Sequence, residues 1–237
     1  MSKLYFIYNQ ISSLDLGISI KSMPRDILAE KRIEKLSFPK LDGSYYQDDD
    51  IYESYTIDLE CTICRNFNVN NIRKIKELFR SRTGEMILST KPNNILSVRV
   101  LSVINFEKLI SQTAGRFLLS FEVQPFSYLA SGRKWIPANN NFKILNQGNY
   151  YCKPLYKIAG NGSCSLTIND KIMKFSNVNK EFIVDTELED VYSIDKKENL
   201  NKFLNIESDF VGLSEGENTI KFSNISKLEI LPNWREL

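Results

Sequence analysis

The stretch PKLDGSYYQDDDIYESYTIDLECTIC, residues 39–64, decides how this chain reads. It carries Asp48, Asp49 and Asp50 in a row, four tyrosines, and Cys61-x-x-Cys64. Its second half alternates. Tyr55, Ile57, Leu59, Cys61 and Ile63 fall on one side of an extended chain, and Thr56, Asp58, Glu60 and Thr62 on the other. That period of two predicts a half-buried antiparallel strand. Cysteines three apart on a strand point to opposite faces, so the two thiols diverge. A redox pair needs a helix N-terminus to lower the thiol pKa, and an all-cysteine zinc site needs a second close pair, which Cys152 and Cys164 are too far apart to supply. Cys61 therefore reads as core and Cys64 as an incidental small residue. Calcium loops alternate their ligands, so three consecutive aspartates read as a solvated loop. The stretch is a loop followed by a strand, with no metal.

On its N-terminal side, residues 4–20 read as two short extended runs around a turn at DLGIS, and Asp42-Gly43 is a turn dipeptide. On its C-terminal side the period changes. Ile72, Ile75, Leu78 and Phe79 share one face of a helix over 70–84, with Asn70 placed to cap its start and Gly84 its end. Arg73, Lys74, Lys76, Arg80 and Arg82 form its polar, solvated side. Strands are expected at 84–90, 96–103 and 115–126, the last with Phe117, Leu119, Phe121 and Val123 on one face.

The composition shifts at LASGRKWIPANNN, residues 129–141, which reads as a junction between domains. Beyond it, short strands are expected at 142–145, 154–159, 163–168, 171–175, 181–185, 190–194, 217–222 and 226–231. Turns separate them at Gly160-Asn161-Gly162, at Asn169-Asp170 and over 214–218. Many short strands at this spacing indicate a β-sandwich.

The 237 residues suit one large or two small domains, and a formal net charge of +2 signals neither nucleic acid nor an acidic partner. No apolar run has the length of a membrane span, and MSKLYFIYNQ is not a secretory signal. Four cysteines do not make a disulfide scaffold, and synthesis in a reducing cytoplasm is expected. The chain has no histidine, which removes Ser-His-Asp triads, Cys-His pairs and histidine-ligated zinc. Asp185, Glu187, Glu189 and Asp190 are the carboxylates a glycosidase would draw on, yet they sit in a strand-connecting turn, where such residues are ordinary. Trp135 and Trp234 are candidates for stacking on a sugar, or for packing under an edge or at an interface. The residues alone give a two-domain, β-rich, soluble protein that is not an enzyme.

The order of elements then adds a family. Pro24-Arg25 precedes the Leu41-Asp42-Gly43 turn and the alternating strand, and a helix and further strands lead to Pro125, Phe126 and Tyr128. Gly148, KPLYKIAGNGSCSLTIN (153–169), FIVDTELEDVY (182–192), Gly216-Glu217-Asn218 and LPNWREL (231–237) follow in turn. In this arrangement the chain resembles the distal tail protein family of long, non-contractile (siphovirus-type) bacteriophage tails and related phage-tail-like particles. The turn departs from the family's Gly-x-Asp-Gly by lacking its first glycine. The resemblance implies an N-terminal split β-barrel with one helix, residues 1–132, and a C-terminal galectin-like β-sandwich, residues 133–237. It implies a homohexameric ring around the tail channel, built by the first domain. That ring joins the tail tube and tape-measure proteins to the tip hub, lysin or receptor-binding proteins. It places the protein in the virion, at the tail tip, after synthesis in the bacterial host cytoplasm. It implies no catalytic residue, cofactor, metal or membrane insertion. The alternative is a β-sandwich carbohydrate-binding module that meets host-surface glycans through Trp135 or Trp234.

Overall fold

The computed structural model describes residues 3–40, 42–63, 69–101 and 116–237. Cys64 and residues 102–115 of the sequence reading lie outside them. The chain divides into two compact units, Met1–Ser127 with Leu237, and Tyr128–Glu236.

The first unit contains β1 (Phe6–Tyr8), β2 (Ile11–Ser12), β3 (Ile18–Ser22), β4 (Lys31–Leu36), β5 (Tyr45–Tyr52), β6 (Tyr55–Ile63), α1 (Val69–Leu78), β7 (Thr83–Leu88), β8 (Asn94–Val100) and most of β9 (Arg116–Leu129). Its main sheet runs β2-β1-β7-β8-β9-β6-β3. The Ile20 N–H at the far end donates to the Leu4 carbonyl at 2.9 Å, beside β1, so the sheet curls until its two ends touch. This is the split barrel. The alternations read in β6 and β9 meet in register, with Ile57 opposite Phe121, Leu59 opposite Leu119 and Cys61 opposite Phe117. Both apolar faces therefore point into one core, where Phe121 packs edge-on against Phe6 and Phe79. Each such side chain, fully buried, contributes about 1.5–3 kcal/mol. The Tyr8 ring joins them, and its hydroxyl, which needs a partner when buried, donates to the Ser81 carbonyl at 3.0 Å.

Ile75, Leu78 and Phe79 pack α1 on this core, as their spacing predicts. Its ends differ from the expectation. The helix includes Asn70 and stops at Leu78, and Gly84 lies inside β7. A β-carbon there would stand 2.3 Å from Asn9 Oδ1, the atom that accepts the Glu85 N–H. The glycine is required by a neighbour distant in sequence and caps nothing. Asp48–Asp50 also differ. They belong to β5, which among the described residues pairs only with β4, in a separate two-stranded sheet.

The second unit holds β10 (Ile136–Ala138), β11 (Phe142–Leu145), β12 (Leu155–Ile168), β13 (Lys171–Val178), β14 (Phe182–Asp185), β15 (Asp190–Ser193), β16 (Glu217–Leu231) and β17 (Arg235–Glu236), which adds to the end of β9. Two pairs of expected strands are single strands here. Residues 154–159 and 163–168 are one strand, β12, and residues 217–222 and 226–231 are one strand, β16. Gly160-Asn161-Gly162 is therefore an irregularity within a strand and not a hairpin turn. It faces a matching one at Asn224, φ 55°, whose side chain donates to the Ser163 carbonyl at 2.9 Å. Beyond the kink the first half of β16 lies between β11 and the second half of β12, which pairs β13. Before it the second half of β16 lies between β10 and the first half of β12, which pairs β14. Leu166, Ile168 and Ile220 from one half share a core with Tyr156, Ile158 and Ile230 from the other. The bent sheet thus supplies both layers of the sandwich. The protein is mainly β, with a curled half-barrel sheet and a sandwich, as the sequence led us to expect.

Candidate assembly surface

The β4–β5 hairpin presents both of its faces to solvent. An isolated two-stranded hairpin is at best marginally stable in water, and beyond its backbone ladder this one carries ion pairs and a packed base. Lys31 Nζ lies 2.7 Å from Asp50 Oδ1 and 3.0 Å from Asp48 Oδ2, and Arg32 Nε lies 2.5 Å from Glu53 Oε1. Asp50 takes a left-handed conformation, φ 57°, and its N–H donates to Asp48 Oδ1 at 2.8 Å, so a bulge brings both carboxylates to one lysine. The hydrogen bonds that Lys31 donates to Asp50 and then Asp48 push its pKa up, and Lys31 in turn lowers that of Asp48. At the base, Tyr52 packs edge-on against Phe126 with ring centres 5.6 Å apart.

Beside these charges the surface exposes several large apolar side chains. Ile33, Tyr45, Tyr46 and Ile51 on the strands, Phe38 at the tip, and Ile27 and Leu28 just before β4 are all large and exposed, Leu28 at 70 % and Tyr46 at 61 %. An exposed apolar concentration of this kind marks an interaction surface. The sequence reading missed it as a site. The signal was present in Tyr45-Tyr46: adjacent residues of a strand face opposite ways, so one of the two is always outward.

The other candidates are placed as follows. Cys61 is buried in the barrel core, and that burial pushes its thiol pKa up to about 12, away from reactivity. Among the described residues no three His, Cys, Asp or Glu side chains converge as metal ligands. Asp185 is buried and fully committed. It accepts the N–H groups of Glu187 and Leu188, each at 3.0 Å, and the Tyr192 hydroxyl at 3.1 Å. Asp190 accepts from Val191 and Asn199, both at 3.0 Å, and Glu187 stands 3.5 Å from the Tyr128 hydroxyl. Glu189 occupies the tight turn with φ 52°. These carboxylates shape a turn. The tryptophans separate: Trp135 is 40 % exposed, whereas Trp234 is 1 % exposed in the sandwich core, so only Trp135 has surface to offer a ligand.

No protein-family profile matches the sequence, and no curated protein matches it. Solved structures do. The chain matches the Dit protein of phage SPP1, described as a hub of the adsorption apparatus in phages that infect Gram-positive bacteria, with a TM-score of 0.71 at 13 % identity over 97 % of this chain and 98 % of that one. It also matches a chain of the phage P2 baseplate in its activated conformation with Ca, with a TM-score of 0.59 at 9 % identity over 97 % of both chains. The protein has the fold of the phage distal tail proteins from end to end.

Proposed function

We propose that this chain is a structural component of a phage distal tail or baseplate, the hub that joins the tail tube to the adsorption tip. The end-to-end match to the SPP1 hub protein carries this reading, because it covers both units and not one common fold alone. In this role the first domain, residues 1–132, forms a ring of six copies around the tail channel. The second, residues 133–237, faces side proteins or host-surface glycans. Its partners are further copies of itself, the tube and tape-measure proteins on one side, and tip, lysin or receptor-binding proteins on the other. Its work is done in the virion, without catalysis or a cofactor.

The hairpin supports ring formation physically. A closed ring needs two different surfaces on each copy, and a hairpin that leaves large apolar side chains in solvent on both faces is suited to be one of them. Mass measurement of the full-length protein over a rising concentration series should reveal six-copy rings. An antibody to the protein should label tail tips in electron micrographs of native particles. A monomer at every concentration together with unlabelled tips removes the proposal. For the glycan alternative, array binding that disappears with Trp135→Ala in a folded protein is the result that would favour it.

A further inference from the structure

On the second unit, β12, β13 and β16 wall an open hollow of about 280 Å³. Cys164, Leu166 and Phe175 of these strands belong to the sandwich core, so Ser165, Lys174 and Ser223, which alternate with them, face outward. The three stand in one row, Lys174 opposite Ser165 and Ser165 opposite Ser223. Ser163 adds a hydroxyl, and Asn205 adds its amide from a loop whose N–H donates to the Lys174 carbonyl at 3.0 Å. Ile172, 44 % exposed, supplies an apolar patch.

These polar groups are mostly not spent on one another. The Ser176 hydroxyl donates to Asn205 Oδ1 at 2.8 Å, which holds the amide and leaves its N–H₂ group for another acceptor. Among the described residues the hydroxyls of Ser163, Ser165 and Ser223 meet no protein partner, and the Lys174 ammonium meets no carboxylate within ion-pair distance. No acidic side chain among the described residues lines the hollow. One row further on, Lys221 stands opposite Thr167 and also lacks a carboxylate partner among the described residues. Serines scattered over a sheet face are merely solvated, but these share one concavity with a cation, on hydrogen-bonded strands that hold them in place. An apolar ligand would leave the hydroxyls without partners, and a single-stranded nucleic acid calls for aromatic stacking platforms. Many hydroxyl partners, one positive charge and one aliphatic patch match a saccharide that carries a carboxylate or a phosphate.

We infer that this hollow binds an acidic saccharide, with its hydroxyls on Ser165, Ser223 and Asn205 and its anionic group on Lys174. The inference rests on the reading of the second domain as the one that faces host-surface glycans, and it puts the sugar on the sheet face instead of at Trp135.

The experiment titrates the full-length protein calorimetrically with three probes: a short oligogalacturonate, a short poly(glycerol phosphate) and neutral maltohexaose. At least one acidic probe should bind, more tightly than the neutral one, and the tighter of the two acidic probes names the anion. Ser165→Val removes a hydroxyl and keeps a strand-forming side chain, and Lys174→Glu reverses an exposed charge. Each, with circular dichroism and urea midpoint unchanged, should weaken that binding roughly tenfold or more, whereas Trp135→Ala should leave it as it is. Binding should also weaken from 0.1 M to 1 M salt, where the screening length falls from about 10 Å to about 3 Å. Maltohexaose bound as tightly as the acidic probes, or binding that survives Lys174→Glu, overturns the inference. Binding lost with Trp135→Ala alone gives the sugar to the tryptophan and overturns it as well. If no probe binds while the protein labels tail tips, the site is wrong and the hub reading stands. If tips stay unlabelled while an acidic probe binds and Lys174→Glu abolishes it, the hub reading fails and the site stands.

Discussion

Replacing Trp234 by alanine should unfold the sandwich far more readily than replacing Trp135. An indole side chain removes about 200–250 Å² from water when fully buried, worth roughly 5–6 kcal/mol at about 25 cal/mol per Å² as an upper bound. Trp234 is 1 % exposed, so nearly all of this applies, less the part the alanine retains. The wall cannot close over the gap easily. A β-carbon built on Gly132 would stand 2.5 Å from the Trp234 nitrogen and 2.9 Å from indole carbons, so the indole rests on main chain fixed by the Asn233 N–H to Gly132 carbonyl bond of 3.0 Å. The expected loss is about 3–5 kcal/mol. Trp135, 40 % exposed, should cost about 1–2 kcal/mol. The chain has two tryptophans and both belong to the second unit, so indole emission during urea unfolding reports that unit alone. In a Trp135→Phe background, Trp234 should emit toward the blue and resist quenching by iodide. A cost below about 1 kcal/mol for Trp234→Ala, or ready quenching of Trp234, would refute the placement of the indole in the core.

Gly148→Ala should destabilise the second unit by about 1–3 kcal/mol on urea titration, because its β-carbon would fall 2.1 Å from the Arg235 carbonyl oxygen, which is main chain. Asp185→Asn should cost about 1–3 kcal/mol through its bonds to the Glu187 and Leu188 N–H groups and the Tyr192 hydroxyl, and should change no hydrolytic activity. Cys61→Ser should destabilise the first unit by about 1–3 kcal/mol, since it leaves a hydroxyl in an apolar core, and thiol titration of denatured, non-reduced protein should find all four cysteines free. Burial raises the pKa of Cys61 from 9.0 to about 12, and burial and then the Asp185 charge raise that of Tyr192 from 10.0 to about 12. The unfolded chain therefore releases these protons first. Stability is fully present below about pH 9 and falls as pH rises toward 12, which urea midpoints measured from pH 8 to 11 will show; a flat profile would contradict the burial of both groups.

Much of the barrel was legible because its signals are local. The alternations of β6 and β9 each identify a buried face, and the two faces then meet as Leu59 meets Leu119. The helix face was legible for the same reason, through Ile75 and Phe79. What escaped the sequence depends on partners far along the chain. Gly84 looks like a helix cap until Asn9 is placed against it. Gly160-Asn161-Gly162 has the chemistry of a hairpin turn, but pairing of β12 with β16 on both sides carries the strand through. Asp48–Asp50 look like a solvated loop until Lys31 is set opposite. The candidate assembly surface was illegible as a surface because exposure is a property of the fold. The tyrosines were visible, and the failure of any sheet to cover them was not.

β12 and β16 each run unbroken through the kink that separates the two layers of the sandwich. Neither layer can be peeled away, since its two central members are also the central members of the other. The second unit should therefore melt in one step, with amide protons on both sides of the kink exchanging only when the whole unit opens. The same continuity gives the unit a mechanical grain. A pull along β12 against β16 loads their hydrogen bonds in shear and all at once.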